Sequence, residues 1–186
     1  MANVAIKDSR ALRFGSCDFQ VQDPSDDSWI SLGVMNDVSF TEEWTVNRIT
    51  FDNSDDVHER LGDHHATVSG DMAEIDLELL ALLQGGLSEY SETGAGADLV
   101  KVLESGGKRQ INARAIKLVN TNEEGKDFTI EVFKAKTQSG IAIDFPARDA
   151  EEVATTTIEM RGDVDSTKDA GKQLFKITDA QTHDGT

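Results

Sequence analysis

Three histidines and three aspartates crowd one stretch of the chain: Asp55, Asp56, His58, Asp63, His64 and His65. Imidazole nitrogens and carboxylate oxygens bind zinc when they converge from separate elements. Here all six fall in one polar run, FDNSDDVHERLGDHH (51–65), with no cysteine and no helical His-x-x-x-His spacing. The run reads as a solvated loop, and no metal or other cofactor is expected. Two Ser-Asp-Asp clusters, Ser25-Asp26-Asp27 and Ser54-Asp55-Asp56, share residue types with calcium loops. They lack the alternating oxygen ligands and closing glutamate of such loops, so they read as turns. Gly94 and Gly96, in TGAGAD, resemble a phosphate loop superficially, but no Gly-Lys-Ser/Thr follows and no helix starts there. The single cysteine, Cys17, sits in a strand-like run and reads as a small core residue rather than a nucleophile. No GxSxG motif is present. The chain is expected not to be an enzyme.

Charge narrows the function classes further. Acids outnumber bases 35 to 18, for a net charge of -17 over 186 residues. A protein that grips nucleic acid needs a basic face for the phosphates, and an anionic membrane surface repels the same excess of carboxylates. One cysteine allows no disulfide framework within the chain. No apolar run approaches the ~18 residues of a membrane span, and MANVAIKDSR has no apolar signal-peptide core. A soluble protein made in a reducing cytoplasm is expected.

The elements are organised around GDMAEIDLELLALLQGG (70–86), the one clear helical pattern. A helix over about 72–84 is expected, with Asp71 or Asp76 as N-cap and Gly85-Gly86 as the left-handed stop. Ile75, Leu77, Leu79, Leu80, Leu82 and Leu83 cover more of the wheel than the roughly 100° stripe that one sheet can bury. Something must therefore cover the second flank, either this chain or another copy of it. The rest of the chain reads as about eight strands with turns, the pattern of a mainly β antiparallel sandwich or barrel flanked by one helix. Residues 1–9 read as an N-terminal arm, 10–162 as the β domain and 163–186 as a polar C-terminal tail.

The strand over 36–50 carries Val38, Phe40, Trp44 and Val46 on one face, interrupted by Glu42. Its other face, Ser39, Thr41, Glu43, Thr45 and Asn47, is polar and free of Lys and Arg. A long inter-strand loop over about 51–65 is expected next. Connections above ~12 residues are uncommon unless functional or disordered, so this one is a candidate contact arm. Thr67, Ser69 and Asp71 then form a second small, polar face. Alternation pairs the faces without showing which one is inside.

This combination resembles bacteriophage major tail tube proteins of the long-tailed, siphovirus type. The resemblance rests on the polar-faced strand, the long loop, the second polar strand running through VSGDMAEIDLELLALLQGG (68–86), and a final strand in DAEEVATTTIEMRG (149–162). Its most characteristic piece is Ala73-Glu74-Ile75-Asp76-Leu77-Glu78-Leu79-Leu80, closed by Gly85-Gly86. The resemblance implies a structural virion protein whose hexameric rings stack into a tail tube through which DNA passes without specific binding. It places the protein in the virion tail, made in the host bacterial cytoplasm. Further implied partners are other tail proteins, such as tape measure, tail tip and terminator. Ser39, Thr41, Glu43, Thr45, Asn47, Thr67, Ser69 and Asp71 are then candidate channel-lining residues. Leu77, Leu80 and Leu83 are candidates for a helix joint between subunits. Asp55, Asp56, His58, Arg60, His64 and His65 are candidates for contacts between rings. Independently, a wet channel needs a polar wall, and a wall without Lys and Arg lets phosphates slide past. Two alternatives stay open: the tube protein of a contractile injection or secretion system, and a monomeric carbohydrate-binding sandwich. Two Trp and one Tyr are few for sugar stacking.

Overall fold

Along the strand over 155–162, Thr156, Ile158, Met160 and Gly162 are buried while Thr157 and Glu159 are exposed. That period of two is the signature of a strand with one face on a core, and it recurs through the computed structural model of the chain. The structure describes residues 17–51, 54–107, 110–121, 127–147 and 153–180, with side chains left aside at 51 and 54–57. The N-terminal arm over 1–9 therefore lies outside the described residues. The elements are β1 (Asp18–Gln22), β2 (Trp29–Ser31), β3 (Met35–Phe51), β4 (Ser54–Met72), α1 (Leu77–Leu83), β5 (Ser88–Thr93) and β6 (Val100–Ser105). They continue with β7 (Arg114–Thr121), β8 (Asp127–Thr137), β9 (Ile143–Asp144), β10 (Thr155–Gly162) and β11 (Phe175–Asp179).

Nine strands form one antiparallel sheet in the order β2-β1-β7-β8-β10-β4-β3, with β11 added to β8 and β9 to β10. The β5–β6 hairpin is a separate two-stranded ribbon. The large sheet curls on itself. Phe40 of β3 meets Phe175 of β11 edge to face at 5.1 Å, although β4, β10 and β8 separate them along the ladder. The result is a mainly β, sandwich-like fold with one α-helix. Its core contains Phe19, Val21, Ala66, Val68, Met72, Ile116, Val132, Ala135 and Met160, all at most 1% exposed. Each fully buried large side chain contributes roughly 1.5–3 kcal/mol. Glycine is required at 162, because a Cβ there would collide with the Val132 side chain of β8.

The helix is shorter than the sequence pattern implies. It spans Leu77–Leu83, because Met72 still belongs to β4 and 73–76 form the turn between them. Asp76 is the N-cap and accepts from the Glu78 N–H at 2.8 Å. Asp71 stays in the strand and binds Thr157. Gly85 and Gly86 adopt the left-handed φ values of 59° and 89° that end the helix. The surplus of leucines is covered from within the chain. One flank, Leu80 and Leu83, packs toward Thr156 and Ile158 of β10, and the β5–β6 hairpin lies against α1 from outside, with Leu103 joining the core.

The segment expected as a loop over 51–65 is also different. It is strand: β3 runs to Phe51, β4 starts at Ser54, and the ladder continues through Arg48↔Glu59, Ile49↔His58 and Thr50↔Val57. Strand period did not mark it because every described side chain from Thr45 to Thr50 and from His58 to Asp63 is exposed. With both faces in water, no apolar alternation is required. Cross-strand pairing to β3 decides the conformation instead.

Candidate functional site

The longest ladder in the molecule, β3 against β4, sets the polar face. Ser39 lies opposite Ser69 and Thr41 opposite Thr67, so these four side chains share one face. The two serine hydroxyls are 2.9 Å apart. Glu43 continues the face opposite His65. Strand β10 extends it on the other side of β4, with Thr157 opposite Asp71, Glu159 opposite Ser69 and Arg161 opposite Thr67. The Thr157 hydroxyl donates to Asp71 at 2.6 Å. Residues from three strands thus make one hydroxyl- and carboxylate-rich surface.

Its cations are held by acids. Arg161 donates to Asp63 at 2.7 Å through its terminal nitrogen and approaches Asp163 at 3.3 Å through Nε. Burial works against the guanidinium charge, but the hydrogen bonds and negative charges of Asp63 and Asp163 hold its pKa above the usual value. His65 stands between two carboxylates, with Nε2 3.2 Å from Glu43 and Nδ1 3.2 Å from Asp63. The Nδ1 approach lacks hydrogen-bond alignment, and that atom has no hydrogen-bond partner. Beyond β10, Lys136 of β8 lies opposite Arg161, and Asp144 of β9 opposite Thr155.

Past this face the hairpin outruns the core. A register shift falls between Trp44/His64 and Val46/Leu61, and the extra β4 residue leaves the Asp63 N–H to bond Thr45 Oγ1 at 2.9 Å. Gly62 sits under Thr45 and Asn47, where a Cβ would strike the Thr45 hydroxyl. Thr45 and Asn47 therefore belong to the projecting arm rather than to the sheet body. On the arm's other face, Trp44, Val46 and Leu61 are 56%, 49% and 52% exposed. At ~3.4 Å per residue, the eight residues 44–51 reach about 27 Å. Glu42, which interrupts the apolar pattern, bonds His64 across the ladder at 2.7 Å, and Arg48 pairs with Glu59 at 2.8 Å.

The remaining sequence candidates are placed as follows. Leu80 and Leu83 are buried in the chain's own core at 3% and 4% exposure, while Leu77 is half-buried. His58 and Arg60 are exposed on the arm, and His64 and His65 point to opposite faces of β4 at its base. Asp55 and Asp56 lie in β4, their side chains outside the described set. Among the described residues, no group of three or more His, Cys, Asp or Glu is arranged to hold a metal ion. The first Ser-Asp-Asp cluster forms tight turns: Asp23 accepts from the Ser25 N–H and Asp26 from the Ser28 N–H, and the Ser28 hydroxyl, followed by that N–H, lowers the Asp26 pKa. Cys17 is half-buried, and burial raises its thiol pKa. Sequence reasoning missed Thr157, Glu159 and Arg161 of β10. The alternation TTTIEMRG was legible, but only the ladder shows that its polar side joins that of β4.

No family model matches the chain, and neither does any curated protein. Among solved structures, a chain in the six-fold symmetrised cryo-EM structure of the anti-feeding prophage baseplate superposes with a TM-score of 0.50. It is 9% identical, over 98% of this chain and 100% of that one. A chain of the anti-feeding prophage cap, a tube-terminating cap, gives 0.49 at 11% identity over 96% and 97%. A chain of the PVC sheath-tube complex, from an extracellular contractile injection system, gives 0.45 at 11% identity over 88% and 89%. At 9% identity it is the fold alone that is shared, and this chain has the fold of a component of the anti-feeding prophage baseplate structure.

Proposed function

We propose that the chain is a structural protein of a tail-like particle, whose copies form hexameric rings that stack into a tube for the passage of DNA. The observation that carries this reading is the continuous face of Ser39, Thr41, Glu43, Thr67, Ser69, Asp71, Thr157 and Glu159, with its Arg161 held by Asp63 and Asp163. Such a wall is wetted and repels phosphates instead of binding them. Two further features support self-assembly. Among the described residues, strand β3 ends the sheet order with an unpaired edge 17 residues long, the kind of edge that in an isolated monomer is open to aggregation. The arm carries an exposed Trp44–Val46–Leu61 stripe, and an isolated two-stranded ribbon is marginal in water without something to pack on. In this reading the arm seats on a neighbouring copy or ring. Leu77, half-buried on α1, is the one helix leucine of the three with surface left for a neighbour.

Electron microscopy of the purified full chain in negative stain tests the proposal. Rings or tubes with a central channel are expected. Discrete monomers at every concentration and salt would refute it. A second reading, the tube of a contractile injection system with a protein cargo, is favoured by the fold likeness to the anti-feeding prophage baseplate component over nearly the whole chain. A sheath protein encoded beside this one would select the second reading over the first.

A further inference from the structure

The sequence Ile141-Ala142-Ile143-Asp144-Phe145 alternates apolar and small or polar residues over five positions, as a full strand does, before Pro146 stops it. Only two of the five are in strand. β9 covers Ile143–Asp144, where Thr156 and Thr155 of β10 lie opposite. Among the described residues the other edge of β9 pairs with nothing, and Phe145 at its end is 79% exposed. A five-residue strand pattern realised over two residues, with a large aromatic left in water, indicates a missing neighbour on the open edge.

The position of β9 identifies that neighbour. On one edge of β10 lies β4, followed by β3, whose far edge is unpaired among the described residues. On the opposite edge lie β9, at Thr155–Thr156, and the end of β8, at 160–162. The polar layer therefore has two open sides of different build, one at β3 and one at β9. Joining unlike edges of successive copies is a heterologous contact, which closes a ring when the rotation allows, whereas β3 against β3 would stop at a dimer. The charges are compatible with the head-to-tail arrangement at one end of the joint. β3 carries Asp37, Glu42 and Glu43 against Arg48. On the other side Asp144 of β9 stands with Lys136 at the end of β8, which has no paired carboxylate among the described residues, so the Lys136 end rather than β9 itself is the side that suits an acidic strand.

We propose that the edge over 141–145 is the acceptor for β3 of a second copy, extending β9 to its full pattern and covering Phe145. This deepens the ring reading above and rests on it. The joint brings β3 of one copy beside β9 and the Lys136-bearing end of β8 of the next. It also makes the polar layers of successive copies continuous.

The test places the photo-crosslinking analogue p-benzoylphenylalanine at position 145 of the full chain, in a mixture of isotopically heavy and light copies. Mass spectrometry then locates the heavy–light crosslinks. They are expected within β3, residues Met35–Phe51. In parallel, Phe145→Ser is expected to weaken self-association by about tenfold or more in sedimentation, with an unchanged melting transition, since the side chain is exposed in the single chain. Rings whose crosslinks avoid β3, or whose association ignores Phe145→Ser, overturn the joint and leave the ring reading standing. A chain that never associates overturns both.

Discussion

Replacing Leu80 with alanine decides whether the helix belongs to the subunit core or to a joint between copies. Leu80 is 3% exposed and lines a small, partly open pocket with Leu83, Gln84, Thr137, Thr156 and Ile158. The β5–β6 hairpin also packs against α1, so a shift of the helix into the gap would disturb that contact. Leu→Ala losses at such sites run from 2.7 to about 5 kcal/mol, rising with the cavity left behind. A value of about 3 kcal/mol is expected here, because space already adjoining the site adds to the void while Leu83 relaxes partway into it. For a domain of this size that corresponds to a fall of roughly 6–12 °C in Tm. The assay is urea unfolding of the full chain below its association concentration, followed by circular dichroism. The midpoint should drop with an unchanged m-value, since the surface exposed on unfolding hardly changes. A loss under about 1 kcal/mol, accompanied by weakened self-association, would refute the reasoning and return Leu80 to an intersubunit role.

Three further outcomes follow from the geometry. Asp76→Ala removes the side-chain acceptor of the Glu78 N–H and should cost about 1 kcal/mol of stability, measured in the same urea titration; Asp71→Ala should leave helix content unchanged in far-ultraviolet circular dichroism. Trp44→Ser combined with Leu61→Ser should leave the melting transition within about 0.5 kcal/mol of the parent, because both side chains are about half exposed, while lowering association in sedimentation. Asp165 accepts from the backbone N–H and hydroxyl of Thr167, which lowers its pKa from 3.8, with the charges of Lys134 and Lys168 adding to the effect. A lowered folded-state pKa means a contribution present above the unfolded value and lost as pH falls through the folded one. Amide-exchange protection of 165–179 should therefore decline in acid below that range, and Asp165→Asn should already show the reduced protection at neutral pH.

How much of this was legible beforehand depended on where water is. The pattern over 36–47 was readable because Val38 and Phe40 face the core while Ser39 and Thr41 face out, and the shared face with Thr67 and Ser69 is what the ladder shows. Trp44 and Val46 continue the same alternation into the arm, where no core lies beneath them. Past the register shift the alternation carried no information about burial. The segment 51–65 looked like a loop, although β3 pairs with it almost throughout. Glu42 was opaque in one dimension because its explanation, His64, stands 22 residues away. The β5 strand was hidden in the same manner, since Ser88–Thr93 is strand only through its pairing with β6.

By itself the sequence determined the class of the fold and the charge of the surface. Period-two alternation, the one leucine-rich helical run with its aspartate cap and paired glycine stop, and a net charge of -17 are properties of the order and kind of residues. Local sterics, solvation and simple Coulomb repulsion act on them wherever the chain goes. Tertiary structure decided everything that depends on partners distant in sequence. It gave the second flank of 70–86 to the β5–β6 hairpin, seated Leu80 and Leu83 in the core, and set the polar side of β10 beside that of β4. Those outcomes depend on register and on which surfaces meet. Alternation constrains such contacts only up to a choice of face, and long-range packing makes the choice.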